Sequence, residues 1–554
     1  MSSRPRPRGS AIGSATSRRR HAGGVTLAAG VIAAIVALPL LALLAAWRTP
    51  AVEIWTHLWR TQLPGVVGGT VALLLGVGLG SIVLGTALAW LVAAYRFPGS
   101  AIFEWALVLP LALPAYVMGF VLLGVFEFSG PLQSFVRRTA GWRLPDLRGW
   151  WGVTLTMTLV FYPYVYVLAR TAFQEQAAGL LDAARSLGRS GPRAFLAIAI
   201  PLARPAIVAG GALAMMEALA DLGTVSLFGH RTLTETVYRT WAGMFDRIAA
   251  TQLASLLLLG AFALLTLERA TRGQRGFLNR PRGERRLAPL TLRGARAVAA
   301  TSACLGVLAV AFVLPVVQLL IWAWRRGLDA THAETFTRLL AGTAWLAGAA
   351  AVVITCVGVA LAYARRLDRS RLTHFTTEFA AMGYAVPGAV IAVGVLGPLT
   401  YLDRTVAAML GAIGGPVDIL LTGSVVGILF AYLVRFLAVA LQGVDAALVR
   451  IPRSMDEAAR SLGVAGRRLL GRVHLPLLRG GIAATLLLLW VETMKELPAT
   501  LLLRPIGLKT LAIEIWERTS ESMWEEAALP ALALVLVGLV PLLIVTRLTR
   551  GSAT

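Results

Sequence analysis

Two acidic pairs interrupt otherwise uncharged stretches of the chain: Glu217 with Asp221, and Glu492 with Glu496. Residues four apart share a helix face, so each pair would present two carboxylates side by side. Each follows an uncharged run, 205–216 after Arg204 and 480–491 after Arg479. Such a run rises about 18 Å as a helix, short of a hydrocarbon core of about 30 Å. The carboxylates are therefore expected toward the outer part of a bilayer or in a water-filled vestibule, where ionisable groups are mostly functional or paired. Two readings stay open. One is a vestibule lined by carboxylates from both stretches and attractive to a cation. The other is structural pairing, for example of Glu492 or Glu496 with Lys495. Gly223 and Pro498 fall just beyond the pairs and should break the helix there, and broken helices often line substrate paths.

Other chemistries find no support. The histidines (His21, His57, His230, His332, His374 and His474) are scattered, with no His-Glu-x-x-His and no Gly-x-Ser-x-Gly elbow. Cys304 and Cys356 each lie in an apolar stretch, which argues for small hydrophobes rather than a disulfide framework or Cys-rich metal site. No metal ligand is firmly assigned. A phosphate-binding loop needs Gly-Lys, but Lys495 follows Met494 and Lys509 follows Leu508. No cofactor is expected in this chain.

The elements that must position the carboxylates are membrane spans. Of 554 residues 57% are hydrophobic and only 14% charged, and mean hydropathy is +0.73, which no soluble domain of this length matches. Uncharged runs predict an all-α polytopic protein of about twelve spans. The first six are expected at 25–46, 66–94, 105–126, 150–169, 205–221 and 248–267. The second six are expected at 297–323, 339–364, 379–402, 419–442, 480–496 and 527–546. This divides the chain into a disordered basic tail (1–22), a first transmembrane domain (23–267), a polar Arg-rich linker (268–296), a second transmembrane domain (297–547) and a short tail (548–554). The net charge of +24 lies between apolar spans rather than along one soluble face, so a membrane surface explains it and nucleic acid does not. Arginines concentrate in 268–296 and 443–479, which places these loops and both termini on the cytoplasmic side of the membrane. The segment 127–149, with four arginines, is an exception to that rule.

An internal repeat ties the two halves together. Asp182-Ala183-Ala184-Arg185-Ser186-Leu187-Gly188 recurs as Glu457-Ala458-Ala459-Arg460-Ser461-Leu462-Gly463, and the register continues through Pro201 and Pro476 to the acidic pairs. Paired alanines favour helix, an acidic residue in the first turn suits the helix dipole, and Gly188 and Gly463 can take the left-handed conformation that ends a helix. Pro201 and Pro476 should then separate the segment from the following span.

The repeated pattern resembles the EAA loop of ABC importer permeases, with Asp182 standing where Glu is usual. The resemblance implies that Asp182, Ala183, Ala184, Gly188 and Pro201, and likewise Glu457, Ala458, Ala459, Gly463 and Pro476, form two docking loops. Each would seat in one subunit of an ABC ATPase homodimer at the cytoplasmic face, which binds the ATP. The strings Glu217–Phe228, Met494–Pro505, Trp241–Asp246 and Thr519–Trp524 look like the fused ferric-iron permeases of that group. This resemblance implies a periplasmic iron-binding protein as a further partner and ferric ion, a hard cation suited to oxygen ligands, as cargo. Thiamine or a polyamine are alternative cations. A channel or intramembrane enzyme is the alternative of another class, and neither would need two ATPase-docking loops.

Overall fold

The computed structural model describes residues 11–175, 195–272, 289–327, 330–368, 370–412, 421–464 and 466–551. Among these residues twelve helices are long and apolar enough to cross a membrane, the first at Thr26–Arg48 and the last at Trp524–Leu543. The expected tail is shorter than the sequence suggested, because residues from Ala11 already join the helix Ala11–Ala45. No proline lies in 11–21 to prevent it.

Each half is built on three mutually packed spans. In the first these are Leu63–Ala94, Trp150–Glu175 and Phe195–Ala220, and in the second His332–Leu367, Val425–Val449 and Leu470–Met494. The crossing of the first two in each trio depends on a glycine. A Cβ on Gly85 would lie 2.7 Å from the Tyr162 carbonyl oxygen, and one on Gly358 would lie 2.5 Å from the Ala440 Cβ. Gly358→Ala is expected to cost about 1–3 kcal/mol by overpacking, read as a lower thermal midpoint of the purified protein. An unchanged midpoint would mean the crossing has slack.

The remaining spans interlock the halves. The first span packs on the ninth, Gly388–Gly411, where Gly394 lets the Pro39 carbonyl approach. The seventh, Ala295–Arg326, packs against the third and twelfth. A short parallel pairing of Tyr95–Arg96 with Leu290–Thr291 joins the end of the second span to the segment before the seventh.

Two expected spans are displaced for one physical reason. The third was placed at 105–126 and the ninth at 379–402, but the long helices start at Ala115 and Gly388. A 3-10 turn precedes each, Leu109–Ala112 and Ala381–Ala385, and Pro114 and Pro387 stand at the new helix starts. Proline suits a first turn and disfavours helix in the residue before it, so these prolines begin helices rather than kink them. Carbonyls freed by such breaks must be resatisfied within the bundle. The Tyr162 hydroxyl donates to Leu107 O at 2.9 Å and the Tyr166 hydroxyl to Glu104 O at 3.0 Å.

Pro201 and Pro476 also behave differently from expectation. Neither separates the docking segment from the fifth or eleventh span. Each sits in the first turn of an α-helix, Ile200–Ala220 or Leu475–Met494, directly after a π-helical turn, Phe195–Ala199 or Leu470–His474. A wider turn accommodates the missing proline N–H without ending the helix. The fifth span is therefore already helical upstream of Arg204, from Phe195 onward among the described residues.

Candidate functional site

The fifth and eleventh spans break where Gly223 and Pro498 predicted. Ile200–Ala220 is followed by the short helix Gly223–Leu227, and Leu475–Met494 by Pro498–Leu503. The second carboxylate of each pair caps the short helix. Asp221 Oδ1 accepts from the Thr224 and Val225 backbone N–H groups at 2.7 and 3.3 Å, and Oδ2 accepts from the Thr224 hydroxyl at 2.9 Å. Glu496 Oε1 accepts from the Ala499 N–H at 3.0 Å, while Oε2 accepts from the Thr500 N–H at 3.0 Å and its hydroxyl at 2.7 Å. These N–H groups have no intrahelical partner, and the helix dipole favours the negative charge.

The first carboxylate of each pair is placed otherwise. Glu217 and Glu492, one turn earlier, are half-buried and line a central cavity of ≈ 160 Å³ with Asp221 and Glu496. Among the described residues neither Glu217 nor Glu492 has a hydrogen bond or ion pair. Both halves supply the wall, including Tyr164 and Tyr384. The breaks meet there, since a Cβ on Gly223 would strike Tyr116 Cβ at 2.8 Å and Leu497 Cδ2 at 2.9 Å.

Two cations share the cavity. Arg435 of the tenth span pairs with Glu496, Nη1 to Oε1 at 3.0 Å. Lys495 Nζ donates to Leu111 O at 3.5 Å. The expected alternative of a Lys495 pairing with Glu492 or Glu496 is thus replaced by Arg435 on a facing span, because adjacent helical residues point in different directions. Four carboxylates against two cations leave two formal negative charges. Gly388 makes room for the pair: a Cβ there would lie 2.0 Å from Arg435 Nη1 and 2.5 Å from Glu496 Oε1. Arg435 and Gly388 were missed in the sequence, although an arginine within the uncharged run of the tenth span was a signal. Among the described residues no group of three or more His, Cys, Asp or Glu is arranged to hold a metal ion.

The second of the two expected docking segments forms the helix Arg453–Ser461. Gly463 follows with φ +78°, the left-handed geometry suited to a helix end. Glu457 and Ala458 face outward, Ala459 faces the body, and Leu462 is 82% exposed. Asp182, Ala183, Ala184 and Gly188 of the first segment lie outside the described residues. The anchor of the second helix is Asp456, which the sequence reading passed over beside Glu457. Arg366, at the end of the eighth span, grips it with Nε to Oδ2 at 3.0 Å and Nη2 to Oδ1 at 2.7 Å, and His474 Nε2 lies 2.9 Å from Oδ1. The same guanidinium donates to the Leu448 and Ile451 carbonyls at 2.9 and 3.1 Å. Burial pushes the Asp456 carboxyl up, but Arg366 and His474 outweigh it and hold it below the ordinary carboxylate range. A depressed carboxyl stabilises above its unfolded pKa and loses that contribution as pH falls through its folded pKa. The clamp should therefore persist at neutral pH.

Residues 81–268 and 354–552 each match the family of binding-protein-dependent transport system inner membrane components. The chain belongs to that family. It is an ABC-type permease, a multi-pass inner-membrane protein with a transport role, carrying the family domain twice. Each match spans one docking segment and one acidic pair. The permease is similar to the Fe(3+)-transport system permease protein of Haemophilus influenzae, 28% identical over 499 residues, 88% of this chain and 91% of the relative. It also resembles the sulfate transport system permease protein of Escherichia coli, 29% identical over 45% of this chain and 93% of the relative. The molybdenum transport system permease protein of the same organism is 33% identical over 27% of this chain and 64% of the relative.

Proposed function

We propose that the permease carries ferric iron from a periplasmic iron-binding protein to the cytoplasm, driven by a separate ABC ATPase homodimer. The carrying observation is the central cavity: two unpaired carboxylates, Glu217 and Glu492, one from each half, in a lining with net negative charge. A hard cation suits such oxygen donors. Two free carboxylates attract it without enclosing it, and conduction needs binding weak enough to release. The end-to-end likeness to an Fe(3+)-transport permease favours the same cargo. The oxyanion permeases match over less than half of this chain, and an oxyanion would be repelled by this lining.

In this reading Arg453–Ser461 and its counterpart around Asp182 dock in the two ATPase subunits, with exposed Glu457, Ala458 and Leu462 offering the contact. The arginine-rich loops lie on the cytoplasmic side, with both termini. The test is radiolabelled ferric-iron uptake in cells with and without the gene, and with Gly188→Asp/Gly463→Asp. Uptake should fall in both the deletion and the variant. If iron uptake is untouched while transport of thiamine or a polyamine fails, the cargo assignment is wrong and the permease assignment stands.

A further inference from the structure

The second docking segment meets the spans through charged side chains. In the second half Arg366, Asp456 and His474 form a buried ionic cluster, with side chains 9%, 10% and 1% exposed. The Tyr363 ring packs edge-on against His474 at 5.6 Å. The repeat places Leu91, Leu181 and Ala199 at the matching positions of the first half. None of these three residues is charged, and Leu181 lies outside the described residues. Among the described residues the first half's span ends are held by an aromatic trio, with Trp90 5.2 Å from Phe173 and 4.9 Å from Phe195, and Leu91 and Ala199 belong to the same apolar cluster.

An ion pair with two parallel N–H···O bonds has a fixed direction, whereas apolar contact is non-directional. Asp456 joins three elements at once: the docking helix that carries it, the eighth span through Arg366, and the eleventh span through His474. The eleventh span then runs to Glu492 at the cavity. Displacement of this docking helix must move both spans or break the pair.

We propose that Asp456 is a positioning residue for energy coupling: it passes movement of the second docking helix into the eighth and eleventh spans. This rests on the docking role proposed above.

The test uses the affinity-tagged full chain, purified with the ATPase that accompanies it and placed in proteoliposomes with an iron-binding protein. ATP hydrolysis, ATPase retained and radiolabelled ferric iron taken up are measured together. Asp456→Asn should retain the ATPase and its hydrolysis, because Glu457 and Ala458 still face outward, while iron taken up per ATP falls about tenfold or more through loss of the buried pair. Asp456→Glu should recover much of that ratio. Should Asp456→Asn not accumulate, Arg366→Leu/Asp456→Leu/His474→Ala gives these three positions the first half's residues with no buried charge, and the same uncoupling is expected. An unchanged ratio in either variant overturns the proposal. So does loss of the ATPase together with uptake, which would make Asp456 only a shaper of the docking surface. A wild-type chain that retains no ATPase would instead remove the docking reading itself.

Discussion

Glu217→Gln with Glu492→Gln is expected to reduce cation uptake by about a hundredfold or more at normal membrane levels. Each substitution keeps size and hydrogen-bonding capacity but removes one of the two carboxylates that have no hydrogen bond or ion pair among the described residues. A contact to a charged group contributes about 1.5–3 kcal/mol, and every 1.4 kcal/mol is about tenfold in occupancy, so losing both reaches that range. Folding should be spared, because neither carboxylate is a cap or an ion-pair partner. The capping residues give the contrast. Asp221→Ala should lower the amount of folded permease, since losing an N-cap costs about 0.5–2 kcal/mol. Wild-type uptake by the double glutamine variant would remove the carboxylates from the transport path.

Arg435→Leu is expected to be among the most damaging single substitutions to stability. It strands Glu496, whose side chain is 1% exposed, and breaking a buried pair from one side costs about 3–5 kcal/mol. The damage should be partly local to Glu496: Arg435→Leu/Glu496→Gln no longer holds an unpaired charge, yet Gln still offers an acceptor to the Ala499 and Thr500 N–H groups. The double variant should regain much of the thermal midpoint lost by the single one. If the single variant melts with the wild type, or the second substitution worsens it, the pair does not hold the break together.

The number of spans, the duplication and the breaks at Gly223 and Pro498 were legible because uncharged runs, repeated strings and helix-breaking residues are local features. The four acidic residues were also found, and the structure gathers them around one cavity. Their division of labour was not legible. Whether a carboxylate meets free N–H groups depends on the path of the chain after it, so Asp221 and Glu496 look like Glu217 and Glu492 until Thr224 and Thr500 are placed. Arg435 and Asp456 escaped for a related reason, since their partners, Glu496 and Arg366, are distant in sequence. Proline acts in two ways in this chain. At Pro114 and Pro387 it starts a helix, and at Pro201 and Pro476 a π turn upstream carries the helix through it.

The single arginine at the cavity has a consequence for how such a protein is encoded. Arg435 corresponds in the repeat to Val160, and Lys495 to Ala220. Two copies of the first half would surround the centre with four carboxylates and no cation, and two copies of the second with four of each. Only one copy of each yields the intermediate balance seen here. A single gene for both halves fixes that pairing at synthesis. The subunits cannot assort into the over-acidic or the neutralised version, and the lining charge is inherited as one unit.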